Sequence, residues 1–77
     1  MRLIEGNKLK FIELETTDEQ TIYINPLKIV SVKQETPQDF SLFLYEQDNG
    51  IGIKGTIAEF FSTLGCNVIS DNTPIPF

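Results

Sequence analysis

Phe40-Ser41-Leu42-Phe43-Leu44-Tyr45-Glu46, then Asn49-Gly50, Ile51-Gly52-Ile53-Lys54-Gly55 and Thr56-Ile57-Ala58-Glu59-Phe60-Phe61-Ser62-Thr63-Leu64-Gly65, carry strand, turn, strand and helix in one run. Through residues 40–46 the pattern alternates: Phe40, Leu42 and Leu44 fall on one face, Ser41, Phe43 and Tyr45 on the other. A period of two is the mark of a half-buried strand. Asn49-Gly50 is the pair preferred in a two-residue type I′ hairpin turn, where both positions take a positive φ. Residues 51–54 return with Ile51 and Ile53 on one face and Gly52 between them. The period then changes. Ile57, Phe60, Phe61 and Leu64 form one apolar stripe at helical spacing, which predicts a helix from Ile57 to Leu64. Thr56 and Glu59 have the spacing of a capping box, and Gly65 supplies a left-handed stop.

Towards the N-terminus, residues 29–34 read as a strand through Ile29, Val30 and Val32, followed by the polar turn Thr36-Pro37-Gln38-Asp39. Asn25-Pro26 interrupts the chain before it, because proline fixes φ, removes a donor and drives the preceding residue out of the helical region. Residues 8–15 alternate, Lys10, Ile12 and Leu14 against Leu9, Phe11, Glu13 and Glu15, and residues 21–24 are β-branched and aromatic. The two read as a hairpin around Thr16-Thr17-Asp18-Glu19-Gln20. Residues 66–77 hold two prolines and no period, but Val68, Ile69, Ile75 and Phe77 suggest a tail that packs, with an edge strand at 67–70. The expected fold is α+β: a small antiparallel sheet of about five strands, curled or barrel-like, with one C-terminal helix and an extended tail. It forms a single domain over residues 1–77, with its core at about 8–65 and the tail at 66–77.

A chain of 77 residues is near the lower limit of independent folding. Disulfides, a metal or oligomerisation are the usual aids at this size. Cys66 is the only cysteine and histidine is absent, so neither an internal disulfide nor a zinc site is expected. Oligomerisation remains. The net charge of −5 disfavours phosphate backbones and anionic lipid, and the six basic residues are scattered, although Arg2, Lys8 and Lys10 can form a local patch. No apolar run is long enough to span a bilayer. The N-terminal residues lack the apolar stretch of a signal peptide, and with a lone thiol this points to the cytoplasm.

No catalytic constellation is visible, so the chain reads as a non-enzyme without cofactor. There is no histidine to act as base, and Cys66 reads as a small apolar filler. Glu13, Glu15, Asp18 and Glu19 cluster around the first hairpin and read as a solvated turn rather than a cation site. Asp48-Gln-Asn-Gly50 lacks the remaining ligands of a calcium loop. Gly50, Gly52 and Gly55 lead from a strand into a helix, the context of phosphate loops, but the stretch fits neither the Walker nor the dinucleotide pattern. Lys54, Gly55 and Thr56 remain a candidate anion site.

The arithmetic of sheet faces is more informative. One helix covers one face, which Ile12, Leu14, Ile22, Ile24, Leu42, Leu44, Ile51 and Ile53 would fill. Phe11, Tyr23, Phe43 and Tyr45 then alternate onto the opposite face, an aromatic stripe covered by the tail or by a partner.

With Ile22-Tyr-Ile24-Asn25-Pro26, Ile29 three residues on, the apolar strand from Ser41 to Tyr45, Asn49-Gly50 and the amphipathic helix, the chain resembles the small FlbD-type flagellar and swarming-motility proteins over about residues 10–64. It departs from them in the turn at Thr36 to Asp39, in Gly52 and in the tail. The resemblance implies a small accessory protein and brings no catalytic residues. The functional expectation is a non-enzymatic interaction or accessory module, self-associating or binding a protein partner through a sheet face or edge. The alternative is a small-ligand or anion-binding domain using the turn from Gly52 to Thr56. Nucleic-acid binding through a small barrel is a third, disfavoured by charge.

Overall fold

The structure, a computed structural model, describes residues 1–66. The tail from residue 67 onward, including the edge strand expected at 67–70, lies outside the described residues. Among the described residues six strands and one helix follow in order: β1 Arg2–Glu5, β2 Lys10–Glu15, β3 Thr21–Ile24, a 3-10 turn Pro26–Lys28, β4 Ile29–Thr36, β5 Asp39–Leu44, β6 Ile51–Lys54 and α1 Ile57–Leu64. They form two three-stranded antiparallel sheets, β1-β2-β3 and β4-β5-β6. This corrects the expectation of about five strands in one sheet, and the barrel-like form with it.

Two features account for the difference. Arg2-Leu3-Ile4-Glu5 is a strand whose alternation is invisible, because it has one apolar residue for each face. Leu3 pairs with Ile12 and packs against the core, while Ile4 lies opposite Phe11. The folded part therefore starts before residue 8. The second feature is Asn25-Pro26. Asn25 Oδ1 accepts from the Leu27 amide at 3.0 Å, and the Lys28 amide donates to the Asn25 carbonyl at 2.9 Å. The resulting turn carries the chain off the first sheet, so β4 pairs with β5 and not with β3.

The sheets meet at one seam. Thr16 forms an isolated bridge with Ile53, and the Thr17 amide donates to the Gly52 carbonyl at 3.0 Å. A Cβ on Gly52 would stand 2.6 Å from Thr17 Oγ1, so glycine permits this approach. The buried Thr16 hydroxyl is held within its own turn, donating to Asp18 and accepting from the Gln20 amide at 3.0 Å.

The inner residues read from the strands do form the core. Ile12, Leu14, Ile24, Phe40, Leu42, Ile53 and Phe60 are buried together, with Ile22, Leu44 and Ile51 packed against them. Phe60 brings the helix in, its ring 5.4 Å from that of Phe40. The helix runs as read: Thr56 Oγ1 accepts from the Glu59 amide at 3.1 Å, and Gly65 closes it at φ 80°. The expected type I′ turn does not form. The strands β5 and β6 are joined by residues 45–50, and the positive φ falls at Glu46. The Tyr45 amide bonds the Lys28 carbonyl at 2.8 Å, which prolongs the pairing with β4. The Phe43 ring sits so close to Gly50 that a Cβ there would be 2.9 Å from it.

Candidate functional site: a lysine-flanked groove

The four aromatic residues expected to form one stripe are divided between the sheets. Phe11 and Tyr23 belong to the outer face of β2 and β3. Phe43 belongs to β5, and Tyr45 lies in the turn beyond it. Phe11 and Phe43 are half-buried, whereas Tyr23 is 56% and Tyr45 62% exposed. On the first sheet Glu13 stands opposite both Arg2 and Tyr23 in register. The Arg2 guanidinium donates to both Glu13 oxygens at 3.2 Å, and the Tyr23 hydroxyl donates to Glu13 Oε2 at 3.0 Å. These bonds, Arg2 first and Tyr23 second, hold the Glu13 carboxyl below its ordinary range. The bond to Glu13 raises the Tyr23 phenol. Tyr23 is thereby engaged in a cross-strand bridge of its own sheet.

The candidate anion site is also engaged internally. Thr56 Oγ1 already accepts from Glu59, and Gln34 Oε1 accepts the Ile57 amide at 2.9 Å. Lys54 Nζ lies 3.8 Å from Glu15 and 3.8 Å from Glu19. Gly55 has φ 118° and serves the helix entry. The four carboxylates of the first hairpin do not share one site: Glu13 faces Arg2, Asp18 faces Thr16, and Glu15 and Glu19 flank Lys54. No group of metal-ligating side chains is found among the described residues. Nor is any helix among them long and apolar enough to cross a membrane.

A different surface stands out. Where β2 starts, β3 ends and α1 ends, a groove of about 490 Å³ opens. Lys8, Leu9 and Lys10 line it from one side, Asn25, Pro26 and Leu27 from another, and Leu64 and Cys66 from the helix end. Leu9 is 65% and Leu27 89% exposed. A second, smaller hollow of about 250 Å³ between β4 and α1 shares Pro26 and Leu64 with it and continues over Ile29, Val30 and Phe61. Single exposed leucines are ordinary. Two on the rim of one groove, each placed by a bonded turn, are not explained by packing among the described residues. Leu27 is fixed by the Asn25 and Pro26 turn, and the loop before Leu9 is closed by the Gly6 amide on the Leu9 carbonyl at 2.8 Å. Cys66, expected as a filler, is exposed with a free thiol.

Sequence reading missed Leu9 and Leu27. Their signal was a leucine beside lysine in a turn, Lys8-Leu9-Lys10 and Leu27-Lys28, where turns normally carry small polar residues.

No family model matches the chain, and no curated protein or solved structure matches it either.

Proposed function

We propose that the chain is a non-enzymatic interaction module and that its working surface is the groove between residues 8–10, residues 25–27 and the end of α1. The observation that carries this reading is the exposure of Leu27 on a hydrogen-bonded turn at the groove rim. Burying two leucines on a partner removes apolar surface from water, about 1.5–3 kcal/mol for each side chain fully covered. Proline and the Asn25 cap pre-set the turn, so little conformational entropy is lost on docking. An accessory role of the kind implied by the FlbD-type resemblance fits a docking surface without catalytic groups. The homo-oligomer expected from the sequence is the special case in which the partner is a second copy.

Selection from a random dodecapeptide display library on the immobilised full chain tests the reading. Peptides should be enriched on the wild type and lost from a Leu9→Ser, Leu27→Ser variant. Enrichment of none, or equal retention by both proteins, contradicts it. Sedimentation velocity on the same two proteins reads the special case: a dimer made through this groove dissociates in the variant.

A further inference from the structure

We infer that the segment docking in this groove is acidic as well as apolar: a short peptide stretch of a partner protein with aliphatic side chains for Leu9 and Leu27 and carboxylates for the lysines beside them. The inference rests on the docking reading above and adds the charge of the partner.

It comes from how the basic residues are used. Of the six, Arg2 is bonded to Glu13, Lys33 lies 4.0 Å from Glu35, and Lys54 sits between Glu15 and Glu19. Lys8, Lys10 and Lys28 have no carboxylate within 4.0 Å among the described residues. Glu5, the cross-strand neighbour of Lys10, makes no ion pair with it. Two of these three lysines line the groove, and the third follows Leu27 directly. In a chain of net charge −5, the cations without a carboxylate partner among the described residues stand in or beside the groove that carries exposed Leu9 and Leu27. Elsewhere the acidic surface repels an acidic segment; here it meets a positive rim around an apolar interior. Complementary charge of this kind selects partners and orients their approach more than it adds raw affinity. A docked acidic residue would meet flexible ammonium groups, whose stems can lie along apolar surface while the charge stays in water.

Fluorescence anisotropy with two synthetic decapeptides tests the inference. Both carry leucines at the same two positions, one with aspartates between them and the other with lysines in the same places. The acidic peptide should bind the full chain about tenfold more tightly, the sum of a few exposed ion pairs. The preference should shrink as sodium chloride is added and reverse in a Lys8→Glu, Lys10→Glu variant. Equal binding of the two peptides overturns the inference but leaves the docking reading intact; binding of neither overturns both. Two further outcomes overturn it. Vesicles of phosphatidylserine and phosphatidylcholine retaining the wild type but not the Leu9→Ser, Leu27→Ser variant would assign the groove to a lipid surface. Tighter acidic-peptide binding after Val68→Ser, Ile69→Ser substitution would assign it to the chain's own C-terminal segment.

Discussion

Glu13 is the residue at which the outer face of the first sheet is tied together. One carboxylate receives Arg2 from β1 and Tyr23 from β3, so three strands are joined side chain to side chain. Its depressed pKa means that the folded state binds a proton there less readily than the unfolded chain. Its stabilising contribution is therefore present above the ordinary value of 4.5 and is lost as pH falls through the lower folded value. Tyr23 works in the opposite sense, since its contribution is present below 10.0 and disappears as pH rises through the higher folded value. A thermal-melting series across acid pH should show a decline below about pH 4.5 that is weaker in Glu13→Gln than in wild type. Gln34 is the other residue with more partners than its type suggests. Its amide donates to the Thr36 and Asp39 carbonyls at 2.6 and 2.8 Å, while its oxygen accepts the first helical amide, that of Ile57. Gln34→Leu should cost about 1–2 kcal/mol in chemical denaturation, as expected for losing a cap and its backbone bonds. Neither role was legible in the sequence. Glu13 looked like part of an acidic turn, and Gln34 like the last residue of an ordinary strand. Both depend on which strand lies opposite, and that is set by register.

The helix was the most legible element, because its stripe, its cap and its stop all agree locally. Thr56 and Gly65 do what their positions imply, while the Glu59 carboxylate meets the Thr56 hydroxyl at 3.5 Å. The strands were legible in which side chains point inward, yet not in how they are grouped. Alternation reports the face of a residue and carries no information on its neighbouring strand. β4 shows the limit. Shifts in register fall between Ile29 and Ser31 and again between Gln34 and Thr36, leaving Val30 exposed among residues that read as a regular apolar strand. Such bulges re-aim side chains without a sequence pattern of their own. The seam between sheets was illegible for the same reason, since Gly52 looked like a gap in a strand rather than a place where Thr17 comes close. Gly52→Ala should destabilise the fold by about 1–3 kcal/mol through overpacking. Thr17→Ala in the same chain should restore most of that loss, because the clashing hydroxyl is removed. Denaturant midpoints of the two single variants and the double variant would measure the coupling.

At the scale of the molecule, splitting six strands into two sheets changes where function is sought. Each sheet turns its inner face to a shared core, so the aromatics expected in one stripe are separated. Among the described residues, exposed leucines and lysines without a carboxylate partner come together at the groove formed by the start of β2, the end of β3 and the end of α1. Leu9 and Leu27 contribute little to the core, and Leu9→Ser with Leu27→Ser should change stability by no more than about 0.5 kcal/mol. The same substitutions should abolish peptide binding. Backbone amide chemical-shift mapping of the labelled full chain during titration with the leucine- and aspartate-containing decapeptide tests that localisation most directly. Shifts should cluster at residues 8–10, at 25, 27 and 28, and at 64–66, and leave the amides of Phe43 and of the Lys54 to Thr56 turn in place. Shifts centred on Phe11 and Tyr23, on Phe43 and Tyr45, or at the Lys54 to Thr56 turn would contradict the assignment of the groove as the working surface.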